Sequence, residues 1–178
     1  MKLHLGCGEI HLDGFVNIDI RYMPGVDKVE DIRFLRSFKH ETIDLIYACA
    51  VLEHLGRWEY VHAMKRWYDL LKVGGVLRVS VPGWEEIVAY YNKHHDLRIL
   101  MGMLFGGQDE PFKTNEHHHI WDFKVMDEDL RSVGFKNVYR YDWRETEHAH
   151  IDDFSQSYLP HLEKVSGKLM HLNVEAVK

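Results

Sequence analysis

The residues best placed to do chemistry cluster in the first twenty positions. Lys2-Leu3-His4-Leu5 runs straight into Gly6-Cys7-Gly8, and Gly14-Phe15-Val16-Asn17-Ile18 ends in Asp19 and Ile20. An apolar segment, a Gly-x-Gly turn and a second apolar segment closed by a carboxylate are the parts from which a parallel α/β sheet builds a nucleoside pocket. Neither glycine has a Cβ, so the main chain can approach a ligand closely. The carboxylate can accept hydrogen bonds from two neighbouring hydroxyls. Gly-Cys-Gly by itself also reads as an ordinary turn in an α/β domain.

The spacing selects among nucleosides. A dinucleotide fingerprint carries a third glycine, opens a full helix and places its acid about 20 residues on. Here Asp19 follows Gly8 by eleven positions, and only Glu9 to Gly14 separate the turn from the next strand. That leaves room for one or two helical turns, not for a helix whose N-terminus holds a pyrophosphate. Glu9 beside the turn would also repel a phosphate. A nucleoside without phosphates suits the site, and S-adenosylmethionine (SAM), with adenine, ribose and a cationic sulfonium, fits it.

The bulk numbers narrow the class. A chain of 178 residues predicts one domain, 1–178, and 46% hydrophobic residues suffice for a packed core. A formal charge of −6 argues against a nucleic-acid-binding surface. The absence of an apolar run near 18 residues argues against a membrane span. The N-terminus reads as a strand rather than a signal peptide, and Cys7 and Cys49 allow one bridge at most. A cytoplasmic protein is the expectation. The 14 histidines include His117, His118, His119, His148 and His150, but consecutive histidines in an extended segment point to opposite faces. No ligand pair stands at zinc spacing, so no metal is expected and these histidines read as solvated or substrate-facing.

The elements that must carry these residues alternate strand and helix, as an open parallel sheet requires. Strands are expected at 2–5, 15–19, 26–30, 43–48, 76–81, 137–141 and 170–177. A weak helix is expected at 34–39, and a long amphipathic one holds Val61, Met64, Tyr68 and Leu71 and ends at Gly74-Gly75. Residues 84–104 read as mostly helical with a polar break at 92–96. A helix at 127–133 is capped by Gly134. Residues 106–123 and 144–167 are expected to be substrate-side loops. The fold class is therefore α/β, a Rossmann-like seven-stranded, mostly parallel sheet with an antiparallel edge strand.

In this order the motifs resemble class I SAM-dependent methyltransferases, and more narrowly the small bacterial predicted methyltransferases of the type 11-like family that begin directly at strand one. The resemblance spans nearly the whole chain. It rests on Leu5-Gly6-Cys7-Gly8 with Gly14 to Asp19, on Val29-Glu30-Asp31-Ile32, on Asp44 to Cys49 running on to Leu52-Glu53-His54, on Leu71-Lys72-Val73-Gly74-Gly75, and on Phe105-Gly106-Gly107-Gln108 with His117, Leu130 and Gly134-Phe135. Each motif is weak alone, and five in order are specific. The chain departs from the family in lacking the third glycine and the N-terminal helix, and in having Gly83-Trp84 where an acid usually follows Pro82.

The resemblance implies SAM as cofactor and assigns roles. Gly6, Cys7 and Gly8 would lie along the methionine portion. Asp19, with Ile20 beside it, would hold the ribose hydroxyls. Asp31 would accept from the adenine amino group, with the Ile32 amide near the ring; Asp31 could also cap a helix. Ala48 and Cys49 stand at the exit of strand four, where open sheets bind ligands. Methyl transfer is a direct displacement aided by a general base when the acceptor is a neutral hydroxyl or amine, and His54 and His117 are the candidates. His118 or His119 could take the place of His117. The acceptor is expected to be a small molecule or a saccharide-linked intermediate, with neither nucleic acid nor membrane as partner. One thinly covered side of the sheet offers a surface for a homodimer. Two other readings share the fold, a non-catalytic nucleoside-binding or protein-interaction module and an aminopropyl-type transferase. The retained glycines and acids weigh against the first, and the lack of an Asp pair after strand four against the second.

Overall fold

The computed structural model describes residues 1–108 and 115–178. Residues 109–114 of the expected 106–123 loop lie outside the described residues. Nine strands form among the described residues: β1 (Lys2–Leu5), β2 (Phe15–Asp19), β3 (Lys28–Val29), β4 (Ile43–Cys49), β5 (Leu71–Pro82), β6 (Lys136–Arg140), β7 (Tyr158–Leu159), β8 (Lys168–Leu169) and β9 (His171–Val177). The helices are α1 (Glu59–Leu70), α2 (Trp84–His94), the short α3 (Met101–Phe105) and α4 (Phe123–Val133).

Seven strands make the main sheet, in the order β3-β2-β1-β4-β5-β9-β6. The first five are parallel, and β9 runs antiparallel to both of its neighbours. The expected mostly parallel seven-stranded sheet is thus present, with one change of position. The antiparallel strand is second from the edge, and β6 lies outside it. Burial explains the placement: nearly every residue of β9 is buried, as in a strand paired on both sides, whereas β6 is largely exposed. The two-residue strands β7 and β8 pair separately; strands this short carry no readable period.

The strand order reverses at β1, which has β2 on one side and β4 on the other. Open α/β sheets bind ligands at the carboxyl ends of strands flanking such a switch point. Both faces of the sheet are covered, by different means. Tyr60, Met64, Trp67 and Leu70 of α1 and Met126 and Leu130 of α4 pack on one face with Leu3, Leu5, Ile18 and Ile46. On the other, Leu12, Phe15, Leu45, Tyr47 and Cys49 form a cluster joined by Ile151. Tyr47 donates to Asp153 at 2.6 Å, and His148 lies on the Tyr47 ring with centroids 4.4 Å apart. The first half of the 144–167 segment is thus a cover for the face expected to be thinly covered.

Three local differences have clear causes. No helix forms at 34–39. There the Arg66 guanidinium donates to the carbonyls of Phe34, Leu35 and Phe38, and Trp67 Nε1 donates to that of Ile32, so side chains of α1 satisfy groups a helix would have used. Helix α4 begins at Phe123 because Asp122 caps it, accepting from the Val125 amide at 2.8 Å. Helix α1 ends at Leu70, and Gly74-Gly75 falls inside β5, where Gly74 turns the chain at φ +77°. Among the described residues no helix is long and apolar enough to cross a membrane.

Candidate functional site

Two adjoining cavities open above the carboxyl ends of β1, β2 and β4, sharing Gly6, Arg21, Ala50, His54 and Asn115 as common wall. The smaller, about 240 Å³, reaches Asp19, Ile20, Asp31 and Ile32. The larger, about 640 Å³, reaches Cys7, Gly8, Cys49, Glu53, His117 and His171.

The glycine turn is built on two left-handed residues. Gly6 sits at φ +64°, and a Cβ there would fall 2.3 Å from Val51 Cγ2, so Gly6 lets β1 pack under the segment after β4. Gly8 sits at φ +55° with nothing within 4 Å of where its Cβ would be, leaving its backbone open to the cavity. Asp19 ties the turn down. One carboxylate oxygen accepts from the Gly8 amide at 3.0 Å, and the other from the Arg21 amide at 2.9 Å and from Arg21 Nε at 3.1 Å. Burial pushes this carboxyl up, but the Arg21 guanidinium and the two amides outweigh it and hold it below the usual range. Asp19 is therefore an ionised acceptor at neutral pH, with lone pairs left for a diol.

Asp31 repeats the arrangement. The sequence reads Asp-Ile-Arg at 19–21 and again at 31–33, and Arg33 covers Asp31 through its amide at 2.9 Å and its guanidinium at 2.6 Å. The guanidinium depresses the Asp31 carboxyl. Between the two acids, half-exposed Ile20 and buried Ile32, with Val51 and Leu55, give the smaller cavity apolar walls. Such a slot, with an acid at each end, accommodates a flat base and a polyhydroxyl ring.

The larger cavity is floored by imidazoles. His54 Nδ1 donates to the Glu116 carbonyl at 3.1 Å, and His117 Nδ1 to that of Met103 at 2.9 Å. A carbonyl only accepts, so each neutral ring keeps its Nε2 lone pair. Burial lowers the affinity of both for protons, against the carbonyls they face. His171 bonds Ser80 Oγ at 3.0 Å, and burial holds it at about 3. His4 pairs with Asn17, and burial holds it at about 4. The neighbouring histidines separate as extended backbone requires: His118 is exposed, and His119 stacks on Tyr60 and meets Trp121 edge to face. His117, and not His118 or His119, reaches the larger cavity.

Most of the expected site residues come together. Gly6, Asp19, Ile20, Asp31, Ile32 and His54 line the smaller cavity, and Cys7, Gly8, Cys49, His54 and His117 the larger. Ala48 does not; it is fully buried in the core, and Ala50 and Val51 take its place at the wall. The two thiols are free, and burial raises Cys7 to about 11 and Cys49 well above the usual thiol range, so neither is a thiolate. Sequence reasoning assigned no role to Arg21, Arg33 or Glu53. The repeated Asp-Ile-Arg was a signal for the arginines. Glu53 stood inside a quoted motif, but nothing in the sequence marks it as 1% exposed.

No family model matches the chain, and none of the curated proteins is similar to it in sequence. Solved structures do share its fold. A SAM-dependent methyltransferase from Archaeoglobus fulgidus superposes with a TM-score of 0.61 at 17% identity, covering 99% of this chain and 85% of that one. A SAM-dependent methyltransferase from Methanosarcina mazei gives 0.57 at 17% identity, covering 99% and 91%. The 1,6-didemethyltoxoflavin-N1-methyltransferase of Burkholderia thailandensis, solved with its substrate and S-adenosylhomocysteine, gives 0.60 at 14% identity, covering 99% and 70%. The chain has the class I methyltransferase fold.

Proposed function

We propose that this protein is a SAM-dependent methyltransferase acting on a small-molecule or saccharide-linked acceptor. The observation that carries the reading is Asp19: an ionised carboxylate at the tip of β2, tied to the Gly8 amide, beside a cavity whose far end carries a second ionised acid. The fold neighbours support it, one of them holding S-adenosylhomocysteine. Asp19 would hold the ribose hydroxyls, Asp31 and the Ile32 amide the adenine edge, Ile20 and Leu55 the base faces, and the Gly6–Gly8 backbone the amino-acid portion. Bound there, the cofactor supplies an electrophilic methyl on a sulfonium.

The chain's own residues then do three things. The glycine turn and Asp19 fix where the donor lies, which supplies the alignment that displacement needs. The larger cavity receives the acceptor; its imidazoles are neutral at pH 7, which suits an uncharged hydroxyl or amine. Phe154, exposed at its edge and stacked on His171 at 5.8 Å, offers an apolar platform of the kind a sugar ring uses. His54, His117 and Glu53 stand where the acceptor's proton must be removed or loosened. Asp153 and Ser157, from the 144–167 segment, line the same cavity.

Isothermal titration with SAM tests the reading. The wild-type protein is expected to bind one equivalent, and Asp19→Asn to bind at least about tenfold more weakly, the cost of losing a charged acceptor for the diol. No binding to folded wild-type protein, or unchanged binding to Asp19→Asn, contradicts it.

A further inference from the structure

The methyl-transfer reading leaves one group unexplained. Glu53 is buried, and among the described residues neither of its carboxyl oxygens has a hydrogen-bond partner outside its own residue. Burial raises it to about 8, against a hydrogen bond from its own backbone amide. A buried carboxyl group without a partner is costly for a fold to carry, and a ligand would supply the missing partner. Glu53 faces the larger cavity. What it meets there is His54, its sequence neighbour, and His117, brought in from the segment after α3. One donor atom from each of the three residues lies within 4.8 Å of the others.

We infer that Glu53, His54 and His117 form a binding site for one divalent transition-metal ion. Three observations agree. First, the donors are one carboxylate and two imidazoles, a set that suits Zn2+ and its first-row neighbours and leaves positions open for a further ligand. Mg2+ and Ca2+ prefer oxygen donors throughout. Second, each imidazole has one nitrogen held on a backbone carbonyl. The Nδ1 atoms donate to the carbonyls of Glu116 and Met103, which leaves both Nε2 lone pairs available; a metal-binding histidine typically donates its other nitrogen in this way. Third, the backbone locks the two halves together. The His118 amide donates to the Glu53 carbonyl at 2.8 Å, and the His117 amide to that of Phe105 at 3.1 Å. Gly106, at φ +69°, permits the close approach, since a Cβ there would lie 2.6 Å from His117 Cδ2. A cation also supplies the counter-charge for the carboxylate that forms when Glu53 releases its proton to bind it.

An acceptor oxygen or nitrogen entering the larger cavity would complete the ion's coordination and be polarised by it. That role rests on the methyl-transfer reading; binding of the ion does not. The histidines would then act as ligands of the ion instead of receiving the proton themselves.

The test uses the full chain, freed of metal by a chelator and dialysed. Co2+ is added and followed by its visible absorption, with Zn2+ as competitor and Mg2+ as control. One Co2+ equivalent, displaced by Zn2+ but not by equimolar Mg2+, is expected for the wild type. Glu53→Gln and His117→Ala should each weaken it at least about tenfold, while His62→Ala, on the exposed side of α1, leaves it unchanged. Circular dichroism confirms that the variants fold, and Zn2+ should raise the melting temperature of the wild type but not of Glu53→Gln. No Co2+ site, or one that survives both cluster variants, overturns the inference. SAM titration runs in parallel: a Co2+ site in a wild-type protein that fails to bind SAM supports the cation site and refutes the methyl-transfer reading alone.

Discussion

The imidazoles of His54 and His117 meet edge to face with ring centroids 4.9 Å apart, although one follows β4 and the other follows α3. Their meeting joins the two halves of the larger cavity, and it depends on a glycine. At Gly106 a Cβ would stand 2.0 Å from the Asn115 carbonyl oxygen, and the backbone is left-handed. Gly106→Ala should therefore destabilise the fold by about 1–2 kcal/mol from conformation alone, with the clash added. Proton NMR of the histidine ring resonances should show His54 and His117 displaced together. A fully stable variant with both rings unmoved would contradict this role.

Gly6 and Val51 make a second close approach. Gly6→Ala would place a methyl group within 2.6 Å of Val51 Cβ at a position with φ +64°. A loss of several kcal/mol in chemical denaturation is expected. Adding Val51→Ala should recover part of that loss, the clash, and not the backbone strain. A double-mutant cycle separates the two, and zero coupling between the substitutions would refute the contact.

Acid should weaken the fold through its buried histidines. Burial lowers His4 from 6.5 to about 4 and His171 to about 3. The unfolded chain therefore takes up these protons first. Stability should be full above pH 6.5 and fall as pH drops from there toward 4, with the His171 contribution continuing toward 3. Each contributes on the order of 3 kcal/mol to that loss. Urea unfolding at pH 7 and at pH 4.5 measures it, and His4→Gln should shrink the difference between the two. A difference unchanged by that substitution would show that His4 is not held neutral.

The cover on the second sheet face hangs on Tyr47 and Asp153. Tyr47→Phe removes a buried charge-assisted hydrogen bond and leaves the carboxylate short of a partner, which should cost about 1.5–3 kcal/mol. Limited proteolysis should then cut within 144–157 faster than in the wild type. Equal cleavage rates would mean that other contacts, such as Glu147 with Lys2 and Arg78, hold the segment.

The glycine turn and its acid were legible because local sequence encodes them. Gly6, Gly8 and Asp19 lie at the ends of adjacent strands joined by a short connection, and their residue types state their backbone and charge roles. The parallel sheet was legible from its alternation with helices. The position of β9 was not, since periodicity shows which residues pair but not which strand lies outside. Nor was the use of residues 144–157, because Tyr47 and Asp153 are 106 positions apart. Glu53 was read as part of a motif and no more. Its burial and missing partners arise from tertiary packing, and a glutamate in sequence looks the same whether solvated or stranded. The meeting of His54 and His117 was hidden for a similar reason, since they converge in space and not along a helix.

A methyl donor should occupy the crevice above β1, β2 and β4, and a crystal structure with S-adenosylhomocysteine would reveal it. The ribose diol is expected on Asp19, the adenine between Ile20 and Leu55 near Asp31, and the thioether opening toward Glu53 and His117. Clear density for the compound at another place, or a crevice that stays shut against it at saturating concentration, would contradict it.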